Sequence, residues 1–364
     1  MQIQNLSLTH FRNYREQEVA FGPGLNLLSG HNGHGKTNLL EAIHYGCLAH
    51  SQRTRKDREL IAWDQGAFVL RLEGRIGERE HAQSVEYAES GSKRVKVNGS
   101  ESRRLSDLLG HFSVVSFSPE DLDLIRSGPQ ARRRFLDILL CQSSLDYLDT
   151  LRCYNQALKQ RNSLLKQMDA PRFGEEELGA YDAPLAEYGA GIILHRRRLL
   201  AELAPLAADR YRAIGDPREE LGIALTGCVS EAGDRETVRE DFLRKLASNR
   251  RLDRDTGTTM AGPHREDLLF LMAGKAVREF GSQGQKRSVA LSLKLASARL
   301  LQEKNGHPPI LLLDDVFAEL DEARRVKIGA LVRGGGQVFI ANPRRADLPF
   351  EAERVITLER GSVV

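Results

Sequence analysis

The sequence predicts an α/β fold whose two halves are separated by a helical insertion. Three observations predict it. A glycine-rich turn sits between a short apolar strand and a helix at residues 30–37, an apolar strand ends in two acids at residues 310–315, and an almost unbroken helical pattern covers residues 119–214. Of the 364 residues, 41% are hydrophobic and 28% charged, which describes an ordinary globular protein of two or three domains with at least one sizeable core. A net charge of +3 is too small to declare a polyanionic partner, so any basic surface must come from where charge is placed. The four cysteines (Cys47, Cys141, Cys153 and Cys228) form no CxxC pair and read as buried thiols rather than a metal or redox centre. No apolar leader precedes the first polar residues, and no run approaches the roughly 18 apolar residues of a membrane span. A cytoplasmic protein with no membrane partner is the expectation.

The first thirty residues read as short strands. Ile3, Leu6 and Leu8 are followed by a polar break at residues 12–15, then by Val19 and Phe21, and by Leu25, Leu27 and Leu28 after the turn Gly22-Pro23-Gly24. After Gly35 the period changes to helical, with Leu39, Ile43 and Cys47 on one face. Further strands are expected at residues 68–76, 84–88 and 93–97. In the helical middle Leu148, Leu151, Leu158 and Leu165 recur at roughly heptad spacing, then a break at Pro171 and Gly174 precedes Leu185, Tyr188, Ile192, Leu199, Leu203 and Leu206. This pattern predicts paired antiparallel helices. Strands return near residues 221–225 and 267–272, and the apolar stretches 310–313 and 338–340 read as buried core strands.

Gly30-His31-Asn32-Gly33-His34-Gly35-Lys36-Thr37 fits the phosphate-binding pattern G-x-x-x-x-G-K-[ST] at every fixed position, between a strand and a helix as its mechanics require. Its glycines let successive N–H groups point at phosphate oxygens, and the helix N-terminus adds a favourable dipole. ATP is the expected ligand, with Lys36 reaching the β- and γ-phosphates and Thr37 ligating Mg²⁺. The partner motif is Ile310-Leu311-Leu312-Leu313-Asp314-Asp315, a buried strand that delivers acids to its C-terminal edge. Asp314 is the candidate to hold Mg²⁺ through water and Asp315 to polarise the attacking water. Almost the whole chain separates Lys36 from Asp314, whereas a single nucleotide-binding domain is typically ~100–150 residues, so the helical stretch reads as an insertion. Ser282-Gln283-Gly284-Gln285 stands 32 residues before Asp314. It fits a helix-starting capping box, but its spacing to Asp314 and Leu320-Asp321 behind the acids, which match a D-loop, favour an ABC-type signature motif.

Through these motifs the sequence resembles the RecF family, relatives of the SMC and Rad50 ATPase heads. The resemblance is dense in LTHFRNY (8–14), RTRKDREL (53–60), SFSPEDLDLIRSGPQARRRFLD (116–137) and GPHRED (262–267), as well as in the three motifs, and weak in the helical middle. It implies an ABC-type P-loop ATPase head with an antiparallel β subdomain and an inserted helical lobe. Residues 1–117 would form the N-terminal half of the head, 118–218 the helical lobe, and 219–364 the C-terminal half carrying signature, second acidic motif and D-loop. It implies further an ATP-dependent homodimer on single-stranded, double-stranded or gapped DNA, working with RecR and RecO to place RecA at gaps, with links to replication and the SOS response. Ser282 would face the γ-phosphate held by the other subunit's Lys36, and Asn32 would add a phosphate contact. Three departures from the ABC pattern point to weak hydrolysis used as a conformational switch. Asp315 replaces the longer Glu, Ile340-Ala341-Asn342 lacks the usual His, and Ser118-Pro119-Glu120 stands where a Q-loop glutamine belongs.

Positive charge clusters at Arg53, Arg55, Lys56 and Arg58, at Arg132–Arg134 and at Arg196–Arg198, with pairs at Arg324-Arg325 and Arg344-Arg345. Runs of this kind on helices are usually solvated faces. Arg53, Arg55 and Lys56 are the better candidates for DNA phosphates, because they follow the P-loop helix in a family-like segment. Few aromatics accompany them and Trp63 is the one tryptophan, which argues against a stacking platform and for backbone contacts. Other functions fit less well. A transport ATPase subunit is disfavoured by the helical insertion, a chromosome tether of SMC or Rad50 type by the shortness of that insertion, and a coupled nuclease by the lack of an acidic cluster outside the nucleotide site.

Overall fold

The structure, a computed structural model, describes residues 1–102, 105–167, 175–227, 229, 233–317, 322–332, 336–342 and 351–364. Pro171, Gly174, Cys228, Leu320, Asp321, Arg344 and Arg345 lie outside the described residues. The N-terminal elements are β1 (Gln2–Phe11), β2 (Tyr14–Ala20), β3 (Leu25–Ser29), α1 (Lys36–Leu48), β4 (Ala67–Ile76), β5 (Arg79–Ala88), β6 (Lys93–Val97), β7 (Ser100–Ser102) and β8 (Val114–Phe117). The middle holds α2 (Asp123–Arg126), α3 (Pro129–Ser143), α4 (Leu145–Leu165), α5 (Glu175–Ile214), β9 (Leu221–Thr226), α6 (Arg235–Thr256), β10 (Asp267–Met272), β11 (Lys275–Ala276) and α7 (Val277–Phe280). Then come α8 (Gln283–Asn305), β12 (Ile310–Asp314), α9 (Glu322–Val332), β13 (Val338–Ala341), β14 (Arg354–Glu359) and β15 (Ser362–Val363). Among the described residues no helix is long and apolar enough to cross a membrane.

The chain forms two compact units. One comprises Met1–Leu122, Asp209–Arg218 and Arg287–Val364, and the other Asp123–Ala208 and Glu219–Lys286. The first unit is built on two sheets. An antiparallel sheet runs β2-β1-β4-β5-β6-β7, and a second sheet runs β15-β14-β3-β13-β12-β8, parallel from β14 to β8. The β1 pattern is not strictly alternating, since Ile3 and Leu6 are three apart. The register with β4 shifts between Ile3 and Asn5, and that irregularity returns both side chains to the buried face. Helix α1 packs against both sheets, so it is buried on nearly every side rather than on the single Leu39–Ile43–Cys47 face its sequence suggests. Gly46 makes this possible, because a Cβ there would come within 2.6 Å of Leu70 and Leu72 on β4.

The second unit combines helices with the antiparallel sheet β11-β10-β9. Residues 219–286, expected in the C-terminal half of the head, belong here because β9 and β10 pair along their whole length and arginines from the helices bind the end of β10. The buried seam of α4 meets the heptad leucines only at Leu165. It runs through Tyr147, Tyr154, Ala157, Arg161, Leu164 and Leu165, while Leu148, Leu151 and Leu158 are half-buried. Arg161 can occupy a core position because Asp182 and Asp253 each meet it at 2.7 Å and Thr259 accepts a further bond at 2.8 Å.

Two runs of arginine that resembled solvated faces are anchored in this core. Arg132 makes a two-pronged bond to Asp267 at 2.6 and 2.9 Å, and Arg196 bonds Glu266, Asp137 and the carbonyl of Pro263. The family-like segment GPHRED is thus a packing knot. Gly262 sits at φ 131, where a Cβ would strike the Tyr154 hydroxyl at 2.6 Å and the Phe242 ring at 2.7 Å. His264 accepts from the Tyr154 hydroxyl at 2.6 Å through Nδ1 and donates from Nε2 to the carbonyl of Thr259 at 2.9 Å, the arrangement of a neutral imidazole.

Burial pushes the His264 pKa down to about 4, with Arg265, Arg133 and Arg196 adding repulsion. The unfolded chain binds this proton near pH 6.5 and the folded chain only near 4, so stability is fully present above about 6.5 and is lost as pH falls toward 4. The loss approaches about 3 kcal/mol. A His264→Gln variant should show a flatter thermal midpoint over that window than the parent. Parallel pH profiles for the two proteins would contradict the assignment.

Candidate functional site

The P-loop leaves β3, turns through residues 30–35 and enters α1. Gly30, Gly33 and Gly35 adopt φ of 149°, 83° and 106°, values that side-chain-bearing residues avoid. The loop is braced from two sides. A Cβ on Gly30 would lie 2.4 Å from the carbonyl of Leu358 on β14, and the His34 ring bonds that same carbonyl at 3.1 Å. The Gly361 N–H donates to the carbonyl of His34 at 3.2 Å. On the other side the Tyr14 hydroxyl donates to the carbonyl of Gly35 at 2.9 Å, and Asn38 donates to Asn13 at 2.8 Å. A Cβ on Gly33 would meet nothing within 4 Å, so that glycine serves the backbone alone.

Lys36 is buried. Its ammonium donates to the carbonyls of Gly30 and His31 at 2.7 and 3.1 Å, and desolvation lowers its pKa. The parallel sheet aligns β12 two strands from β3, with β13 between them. That placement brings the Thr37 hydroxyl within 3.2 Å of Asp314 Oδ1, to which it donates. Burial, with repulsion from Asp315 and Glu120, pushes the Asp314 carboxyl up to about 6 despite the bond from Thr37. A desolvated carboxylate beside a hydroxyl is a hard-oxygen donor pair, and its charge is better satisfied by a divalent cation than by solvent; the set fits Mg²⁺.

Asp315 adopts φ 49°, and its N–H bonds the carbonyl of Ala341 at 3.2 Å. One of its carboxylate oxygens is buried with no hydrogen-bond partner among the described residues. It borders a cavity of about 230 Å³ whose lining includes Asn32, Ser118, Asp314, Arg287 and Arg324. That is room enough for a water beside polar groups. The segment in the Q-loop position is a tight turn closed by Asp121, which accepts from the Ser118 N–H at 2.8 Å. Lys294 holds the turn by bonding Asp121 at 2.7 Å and the carbonyl of Ser116 at 2.8 Å. Asn342, in place of a switch histidine, is buried, and its N–H bonds the carbonyl of Leu28 at 3.1 Å.

In the second unit Ser282 and Gln285 form a reciprocal capping box. The Ser282 N–H donates to Gln285 Oε1 at 2.6 Å, and the Gln285 N–H donates to Ser282 Oγ at 3.2 Å. Gln285 also donates to Glu219 at 2.6 Å, and Gln283 accepts from Arg126. Gly284 follows in the first turn of α8. The D-loop candidate Asp321 lies outside the described residues. The three basic candidates are placed differently from one another. Arg53 bonds Asn38 and the buried Glu41 at 2.9 Å each, and Glu41 also takes two bonds from Arg12 and one from Ser51. Arg55 and Lys56 are exposed. Sequence reasoning did not find Tyr14, Arg12, Glu41 or Leu358, whose roles are contacts between distant segments; the only signal was that the first two lie in the segment LTHFRNY and Glu41 in the family-like stretch 30–43.

A P-loop joined to a strand-borne acid in a parallel sheet, beside an antiparallel sheet, defines the nucleotide-binding head of the SMC class. A family model described as the RecF/RecN/SMC N terminal domain matches residues 2–359. The chain is 42% identical over 343 residues to the DNA replication and repair protein RecF of Halalkalibacterium halodurans, covering 93% of this chain and 92% of that protein. The RecF of Symbiobacterium thermophilum is 39% identical over 373 residues, covering 100% and 98%. A solved structure of the recombination mediator protein RecF with ATP, in the RecFOR pathway, superposes with a TM-score of 0.94 at 36% identity, covering 100% of this chain and 97% of that one. An Smc head bound to the C-winged helix domain of ScpA shares the fold at a TM-score of 0.58 and 16% identity. The chain belongs to the RecF family of DNA replication and repair proteins.

Proposed function

We propose that the chain is an ATP-gated DNA-binding factor of recombinational repair, in which nucleotide closes two copies into a clamp. The observation that carries this reading is the Thr37–Asp314 hydrogen bond, which joins two distant segments of the sequence at the mouth of an anion cradle. Residues 30–37 would bind the phosphates. Thr37 and Asp314 would hold Mg²⁺, which when bound neutralises phosphate charge. Asp315, with one oxygen uncommitted, would orient the attacking water, and its short side chain suits slow hydrolysis. Ser282 of one copy would complete the phosphate site of the other, aided by Asp321. The relatives' names support DNA as the ligand, and the RecFOR pathway named for the solved structure supports RecR and RecO as partners. Loading of RecA at gaps, support of the SOS response and a cytoplasmic location complete the proposal.

Arg55 and Lys56 are the proposed phosphate contacts. Neutralising either should weaken all DNA sequences alike and flatten the plot of log affinity against log salt by about one unit per lost contact. Arg53→Ala should instead loosen its own loop, since Glu41 would lose one of its cations. Affinity is to be measured on single-stranded, duplex and gapped DNA with ATP and with ADP. No difference between the nucleotides on any DNA would overturn the gating, and unchanged slopes for both variants would move the DNA surface elsewhere.

A further inference from the structure

Trp63 is 95% exposed, and it is the chain's single tryptophan. An isolated surface leucine or valine needs no explanation, but an indole standing wholly in water hides none of its large apolar face. Nor is the ring on a loose loop. Trp63 occupies the second position of a tight turn closed by the Gln65 N–H to the Ala62 carbonyl at 3.2 Å, with Asp64 at φ 63° as such a turn requires. The turn is bonded on both sides. The Ala62 N–H donates to His10 at 2.8 Å, the Arg12 N–H donates to Leu60 at 2.7 Å, and the Glu89 N–H donates to Gly66 at 2.7 Å. Ile61 bridges to Phe11 and is buried.

The same short loop carries uncommitted positive charge. Asp57 is taken by Lys93 at 2.5 Å and Glu59 accepts from the Thr54 hydroxyl at 2.6 Å. Arg55 and Lys56 are left exposed with no carboxylate partner among the described residues. Arg58, 70% exposed, bonds Glu89, the residue whose N–H holds Gly66. Cations that can follow a phosphate backbone therefore share one folded loop with an exposed ring on a fixed backbone turn.

We propose that Trp63 is a stacking position for one unpaired nucleobase, so that this loop favours single-stranded DNA or the exposed base at a gap over intact duplex. The inference rests on the DNA-binding reading above. In duplex DNA each base face is covered by its neighbour, whereas an unpaired base offers its face to any aromatic surface regardless of sequence. Because the turn fixes the backbone before binding, only the two side-chain torsions of Trp63 remain to be ordered. The scarcity of aromatics excludes a platform of several rings but not a single stacking site.

The lone tryptophan reports on itself. With ATP present, the full-length protein should show quenched intrinsic fluorescence on adding oligothymidylate or gapped duplex, and little change with blunt duplex. Binding is followed separately by the anisotropy of labelled DNA. Trp63→Ala should lose about 5- to 150-fold in affinity for single strands, the range of one base–aromatic stack, and keep its duplex affinity. Trp63→Phe should restore most of the loss. If anisotropy saturates while the fluorescence stays constant and Trp63→Ala binds single strands like the parent, the stacking role is wrong and DNA binding stands. If anisotropy is flat on every DNA, the DNA-binding reading fails too. A fluorescence change that follows protein concentration without DNA would assign the ring to a contact between copies and overturn the proposal.

Discussion

Lys36→Met should lose ATP affinity on the order of 100-fold or more, since a charge-assisted hydrogen bond carries ~1.5–3 kcal/mol and long-range attraction for the β- and γ-phosphates adds to it. The ammonium sits in the loop, bonded to the carbonyls of Gly30 and His31. It is partly stripped of water, and that desolvation lowers its pKa. Phosphate oxygens would compensate that desolvation better than two neutral carbonyls do. Methionine preserves the buried stem, so the fold should survive. Asp315→Asn separates binding from chemistry, because it leaves the cradle and alters only the carboxylate beside the cavity. That variant should bind ATP at close to the parental affinity and release phosphate at least tenfold more slowly, general-base assistance being worth roughly 10²–10⁴. Equilibrium titration with a fluorescent ATP analogue and a phosphate-release assay check the pair. Lys36→Met binding within a few-fold of the parent would refute the cradle assignment, and parental hydrolysis by Asp315→Asn would refute the water-orienting role.

Ser282→Arg should abolish ATP-driven dimerisation while leaving ATP binding by the single chain nearly intact. Among the described residues the side chain of Ser282 bonds Gln285 and none of the groups that brace the P-loop, so the substitution leaves the cradle's own bonds in place. In the capping box Ser282 uses its hydroxyl oxygen as an acceptor, which leaves the hydroxyl proton available to a phosphate oxygen from a second copy. Two such contacts related by a two-fold axis would make ATP part of the interface, and ADP, one phosphate shorter, would not bridge it. Arginine removes the hydroxyl and crowds the approach. Ser282→Ala is the informative control, since it removes the cap at a cost of about 1 kcal/mol without adding bulk. Mixing Ser282→Arg with Lys36→Met should restore at most one working site per pair, the P-loop of the first with the signature of the second. Sedimentation with ATP, ADP and no nucleotide over a range of protein concentrations is the measurement. A parent chain that stays monomeric with ATP, or a Ser282→Arg chain that dimerises normally, would sink the clamp.

What the sequence made legible was local. The glycines, Lys36 and Thr37 could be read because phosphate binding demands those residues in that order within eight positions. The capping-box and signature readings of Ser282 and Gln285 were both available from spacing, and the structure forms the first. What stayed hidden was long-range pairing. Nothing near Arg132 or Arg196 in the sequence reveals Asp267 or Glu266 waiting in the core, so charge runs on helices looked like surface. Before Leu165 the seam of α4 was misplaced for the same reason, because Arg161 counts as apolar-facing only once Asp182 and Asp253 are beside it. Arg53 resembled a free cation until the structure set Glu41 beneath it.

The position of β3 has a consequence for synthesis. This strand is made among the first thirty residues, yet its neighbours in the sheet are β13 and β14. At translation speeds of roughly 5–20 residues per second, β3 waits about 15–60 s on the ribosome before Val338–Ala341 emerges to pair with it. The carbonyl of Leu358 that braces Gly30 and His34 arrives later still. All segments of the second unit, ending at Lys286, have been made by then. The helical unit can therefore fold first, and the P-loop gains its sheet neighbours and its Leu358 brace only after the last parallel strands have been translated.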